Sequence, residues 1–117
     1  MNDTHLIIST SNDLWRIAAN HIIYISADGN YCNIVQTGGE IKVVTLQLGQ
    51  ITQKMEKLCM KFIRIGKSLV VNRRYVYYIQ ASKKQLVLVD SQLNRYTLSA
   101  SKEALTELKE LIEKEEL

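Results

Sequence analysis

Proline is absent from this sequence of 117 residues, and cysteine and histidine occur only twice each. With no proline, no low-complexity tract and no internal repeat, the chain offers neither a polyproline linker nor a repeat array. Cys32 and Cys59 lie far apart without a second metal-type pair, so neither a zinc site nor a disulfide framework is expected. No apolar run approaches the roughly 20 residues needed to cross a bilayer. The opening MNDTHLIIST lacks a basic stretch followed by a signal-like core. The expectation is a cytoplasmic protein without membrane contact. Residues 1–117 fit one domain, since a single core commonly serves about 100 to 150 residues.

Catalysis is equally short of parts. His5 and His21 sit in strand-like patterns with no nucleophile beside them in sequence. Glycine-rich phosphate loops are missing, and Asp3, Asp13, Asp28 and Asp90 stand singly in turns or tails without ligand spacing. No enzyme, cofactor, metal or small-molecule substrate is expected.

What is present is a globular composition, 46% hydrophobic and 23% charged, with a net charge of +3 spread very unevenly. From Lys102 onward three lysines oppose six glutamates, which leaves the preceding residues at +6. Most of that excess falls between Lys54 and Lys84, where nine lysines and arginines face only Glu56. Such a segment is either a solvated face or the complement of a polyanion.

Short apolar runs with period-two character dominate the chain and predict strands. His5 to Ser9 and Leu14 to Ala18 read as an opening hairpin, and His21 to Ser26 and Asn30 to Gln36 as a second one around Asp28-Gly29. Gly38-Gly39 then turns the chain into Ile41 to Thr45. Between Leu46 and Leu58 the apolar spacing changes to three and four, which predicts a short amphipathic helix with Lys54, Lys57 and Lys61 facing outward or trailing it. Strands return at Phe62 to Ile65, Tyr75 to Ala81, Gln85 to Val89 and Arg95 to Leu98. A last helix follows, capped by Ser99 or Ser101 and striped by Leu105, Leu108 and Ile112. Tyr75, Tyr77 and Tyr78 could form an aromatic platform for single strands, but one strand face shows only alternate residues, and packing explains them at least as well.

The segment FIRIGKSLVVN, Phe62 to Asn72, mixes core residues with donors that a core does not require: Arg64, Lys67, Ser68 and Asn72. Ser68 and Asn72 could equally satisfy backbone groups in a non-regular connection. This segment resembles the central F-x-R-x-x-x-S-x-x-VN signature of the LytTR DNA-binding domains of bacterial response regulators. The run from Ile22 to Tyr31, with its Ala27-Asp28-Gly29-Asn30-Tyr31, is similar to that family's opening motif. Leu98-Ser99 before a helix is similar to its third signal, so the resemblance spans roughly residues 6–112.

The resemblance implies a mainly β fold with short helices: an elongated arrangement of small, mostly antiparallel sheets, plus a C-terminal helix. It implies sequence-specific binding of double-stranded DNA by a transcriptional regulator, through loops inserted into successive major grooves. Carried over by position, the contacts would be Asn30, Tyr31 and Asn33 in the hairpin, Lys67 and Ser68 in the central loop, and Ser101 and Lys102 at the last helix start. Arg64 and Arg73 add positive charge beside them. Tyr31 and Asn33 read equally as sheet-surface residues, and Ser101 as a helix cap. Gly66 departs from the family, which usually has histidine or another polar residue there. Ala100 and Ser101 follow Ser99 where arginine is common. Receiver domains and membrane spans precede many members, and neither is read here. The alternative is a protein-interaction module of the same fold with weak or lost DNA binding, docking a homodimer partner or another regulator.

Overall fold

The computed structural model describes residues 4–116, so Asp3 lies outside the described residues. Strands β1 (His5–Ser9) and β2 (Leu14–Ala18) form the expected opening hairpin. Next, β3 (Ile22–Asp28), β4 (Tyr31–Gln36) and β5 (Ile41–Val44) make an antiparallel meander. Helix α1 (Leu48–Met55) leads to β6 (Phe62–Ile65) and β7 (Leu69–Asn72). The chain continues through β8 (Val76–Gln80), β9 (Gln85–Val89) and β10 (Arg95–Ser99) into α2 (Lys102–Glu116). A five-stranded sheet of order β5-β4-β3-β7-β6 is accompanied by a three-stranded sheet, β10-β9-β8, and the opening hairpin. The fold is thus mainly β, antiparallel throughout these sheets, and spans 44 × 31 × 26 Å.

The five-stranded sheet carries a core on each face of its central strands, and this explains their composition. On one face Ile22, Ile25 and Ile34 pack with Leu6 and Ile8 of the hairpin and Ile51 of α1. On the other, Ile23, Ile65 and Val71 pack with Leu86 and Leu88 of the smaller sheet and Leu105 and Leu108 of α2. Ile22 and Ile25 reach the same core despite their odd spacing because the register shifts between Ile22 and Tyr24. An extra residue at a bulge inverts the facing of everything after it.

Sequence periodicity missed β7. All four of its residues are buried, since it lies between β3 and β6 with a core on each side. A strand enclosed on both faces has no polar alternation to betray it. Asn72, a candidate donor from sequence, ends this strand fully buried. Its Nδ2 donates to the Ile22 carbonyl at 3.0 Å, and its Oδ1 accepts from the Arg74 amide at 3.0 Å. Asn72 is therefore a structural strut and not a surface donor; leaving either buried partner unmet would cost about 1–3 kcal/mol.

Three other expectations need correction. The first helix is shorter than Leu46 to Leu58, ending at Met55 before Leu58 turns into the core. In the β3–β4 turn only Gly29 takes a positive φ, +62°, while Asp28 ends the strand opposite Tyr31. Positive φ at the first of the two turn residues alone is the type II′ pattern that favours glycine there. Tyr77 and Tyr78 do not alternate. The β8–β9 register shifts between Val76 and Tyr78, and both tyrosines are exposed, at 62% and 45%.

Asp90 looked like a solitary turn carboxylate, yet it is buried and holds the two larger sheets together. Its Oδ2 accepts from the Gly38 amide at 3.0 Å and from the Tyr96 hydroxyl at 2.7 Å. Its Oδ1 accepts from the Gln92 and Asn94 amides, both at 2.9 Å. Burial by itself pushes this carboxyl up, but the donors from Gly38, Tyr96 and Asn94 outweigh it and hold Asp90 well below the usual carboxylate range. Burial, together with the bond to Asp90, pushes Tyr96 up to about 12.

Candidate nucleic-acid interface

Antiparallel pairing brings distant loops to one edge of the molecule. Because Ser26 pairs with Leu69, the β3–β4 turn and the β6–β7 turn stand side by side, tied by the Ala27 amide donating to the Ser68 carbonyl at 2.8 Å. The two tips are separated by two strand spacings, about 10 Å. Helix α2 runs back along β6. Its Ala104 and Leu108 line a groove with Ile65 and Gly66, whereas Glu115 pairs with Arg73 at the far end of β7. The start of α2 therefore faces the same edge as the two tips. The β8–β9 turn joins them there, since the Ala100 amide donates to the Lys84 carbonyl at 3.3 Å.

This tip edge gathers Asn30, Tyr31, Arg64, Lys67, Ser68, Ser101 and Lys102, all exposed. Arg64 has an internal role as well, because its Nη2 donates to the Lys67 carbonyl at 3.1 Å and braces the turn. Gly66 adopts φ +61°, a left-handed conformation that glycine meets without steric cost, and a Cβ there would meet nothing within 4 Å. Ser101 caps α2, its Oγ accepting from the Ala104 amide at 3.1 Å, which leaves the hydroxyl proton free to donate outward. Lys102 follows in the first turn of the helix.

Two candidates stand apart from this cluster. Asn33 lies back from the tip in β4, half-buried between Ser26 and Val43. Arg73 follows β7, whose four residues at about 3.3 Å each carry it roughly 13 Å from the Ser68 turn. There its Nε pairs with Glu115 at 2.9 Å. The basic stretch from Lys54 to Lys84 is thus not one surface: Lys54 lies on α1, Lys61 and Arg73 meet Glu115, and only Arg64, Lys67, Lys83 and Lys84 join the tip edge.

Sequence reasoning counted Lys83 and Lys84 as charge but did not place them beside Ser101. A signal existed in the tight Ser82-Lys83-Lys84 turn, though its neighbour is set by β9–β10 pairing and not by local pattern. Lys84 adopts φ +56°, ψ +37°, which costs a residue with a Cβ about 1 kcal/mol. Among the described residues the ion pairs lie elsewhere, at Glu40–Lys42, Lys61–Glu115, Arg73–Glu115 and Lys109–Glu113. Lys67, Lys83, Lys84 and Lys102 therefore present their full charge to solvent.

An edge of flexible cations and hydrogen-bonding loop tips, carried by a rigid antiparallel sheet, defines a nucleic-acid-binding module of β type. The family model described as the LytTr DNA-binding domain matches residues 12–113, and the chain belongs to that family. No curated protein matches the chain. Among solved structures, it is similar to the LytTr DNA-binding domain of a response regulator from Bacillus cereus, at 17% identity. That match has a TM-score of 0.63 and covers 95% of this chain and 98% of the other. The elongated β-rich fold with a C-terminal helix is accordingly the LytTR fold. The family is one of DNA-binding domains and not of enzymes, and DNA binding in a regulator is what membership supports. Among the described residues no helix is long and apolar enough to cross a membrane.

Proposed function

We propose that residues 1–117 act as one sequence-specific binder of double-stranded DNA in transcriptional regulation, with the tip edge as the contact surface. The observation that carries this reading is the convergence of four unpaired lysines with exposed polar side chains on adjacent loops. Lys67, Lys83, Lys84 and Lys102 neutralise phosphates, and Asn30, Tyr31 and Ser68 are offered to base edges. Asn33 supports the hairpin from behind, and Arg73 contributes only to the long-range field.

Geometry guides the arrangement on the duplex. Two tips about 10 Å apart fit together in one major groove, which is about 12 Å wide. The corner of the β8–β9 turn and the start of α2 is then directed to the neighbouring groove. With Gly66 carrying no side chain, base discrimination in the central turn falls to Ser68, beside the phosphate-directed Lys67.

The test is a fluorescence-anisotropy titration of random-sequence and promoter-derived duplexes, at low and near-physiological salt, with wild type and Lys67→Ala. Salt-sensitive binding that Lys67→Ala weakens, and that distinguishes duplex sequences, supports the proposal. No binding even at about 50 mM salt would overturn it and favour a protein-interaction module of the same fold.

A further inference from the structure

The end of the molecule remote from the tip edge holds a groove of about 650 Å³ between β8, the residues after β7 and the last turns of α2. Its apolar part comes from Met60, Tyr78, Ile79 and Ile112, and its cations are Lys61, Arg73, Arg74 and Lys109. The volume lies within the usual range for ligand clefts. The mixture of tyrosine and arginine around an apolar floor is the composition enriched at protein interfaces.

What the groove accepts is visible in the chain itself. Glu115 pairs with Lys61 and, at 2.9 Å, with Arg73, while Glu113 pairs with Lys109 at 2.9 Å. Two carboxylates two residues apart on the last turn of α2 thus occupy three of the four cations. Lys109–Glu113 is about half exposed, and Arg73 and Glu115 still keep about a quarter of their surface open to water, so none of these pairs is buried and each can exchange for another carboxylate. The bulge at Tyr77 turns that ring outward beside the groove, where Arg95 stacks on it at 5.1 Å.

We infer that this groove is a second binding site, which docks an acidic, partly apolar peptide segment of a partner protein by displacing Glu113 and Glu115. Charge complementarity selects the occupant, since the cations already bind carboxylates presented on a peptide backbone. A nucleic-acid track fits less well: the floor is apolar, and a duplex on the tip edge lies at the other end of β6, β7 and α2. The inference stands independently of the DNA reading, because the two surfaces share no residue.

The experiment uses the full chain and a fluorescein-labelled peptide of alternating leucine and glutamate, with a leucine–glutamine peptide as control. Wild type is expected to bind the acidic peptide and not the control. Glu115→Gln, which removes the competing carboxylate from Lys61 and Arg73, should tighten binding about fivefold, and Lys109→Glu should weaken it by a similar factor. Circular dichroism checks that both exposed substitutions leave the fold intact. Duplex DNA at saturation should leave peptide affinity unchanged. If neither wild type nor Glu115→Gln binds the peptide, the inference fails. If duplex DNA displaces the peptide, the groove is a phosphate surface and the inference fails in the other direction.

Discussion

The tip edge and the groove end carry similar numbers of cations but use them differently. At the groove end, Lys61, Arg73 and Lys109 each meet a carboxylate of α2. At the tip edge, Lys67, Lys83, Lys84 and Lys102 meet none among the described residues. The acidic tail therefore does more than lower the net charge: it cancels one end of the molecule selectively. The resulting field points from the groove end toward the tip edge, the direction that the proposed duplex contact would use.

The largest expected effect would break the link between the two larger sheets, on which both ends are built. Asp90→Ala leaves the Gly38, Gln92 and Asn94 amides and the Tyr96 hydroxyl without their acceptor, and should cost about 3 kcal/mol in urea denaturation. The pH dependence has a definite sign. The folded carboxyl titrates below the unfolded value near 4, so its contribution is complete above that pH and is lost as pH falls further. Asp90→Asn should flatten acid unfolding below about pH 4 relative to wild type. An unchanged acid profile would remove Asp90 from its place as the link between the sheets.

Next in size is the direct contrast between the ends. Lys67→Ala should weaken duplex binding about fivefold and reduce the slope of log affinity against log salt by about 1. Arg73→Ala should change affinity less than Lys67→Ala does, because Glu115 already screens its charge. Equal effects in an anisotropy series across salt would mean that the duplex wraps both ends, and the contrast would be lost.

A finer effect separates stability from binding at one residue. Lys84→Gly relieves a left-handed backbone but adds chain entropy to the unfolded state, for a net gain on the order of 0.5 kcal/mol. The same substitution removes a tip-edge charge. A variant that melts higher while binding DNA more weakly places Lys84 at the DNA; unchanged binding would leave it a structural turn. The smallest effect is chemical. Cys59 is exposed, whereas Cys32 is buried, with burial raising its thiol, and donates to the Leu46 carbonyl at 3.2 Å. Iodoacetamide followed by mass spectrometry should modify Cys59 first. Rapid loss of both thiols would show that the β4–β5 region opens readily.

Much of the fold was legible because its information is local. The strand alternation in β1 and β10, Gly29 at a two-residue turn, and the leucine stripe of α2 each follow from neighbours a few residues apart. The motifs around Asp28 and Phe62 carried the family, and they carried Asn30, Tyr31, Lys67 and Ser68 with it. Harder features depended on enclosure. β7 disappeared into an apolar run, Asn72 read as a donor, and Asp90 read as isolated, since burial and partners some 50 residues away leave no trace in a short window.

The sequence by itself thus determined the class of fold, the turn positions and the family, since periodicity, glycine placement and signature residues are properties of contiguous chain. Tertiary structure alone decided which lysines share a surface. Strand order places Lys84 beside Ser101 and directs Glu115 onto Lys61 and Arg73, and Coulomb interactions act across that space and not along the sequence.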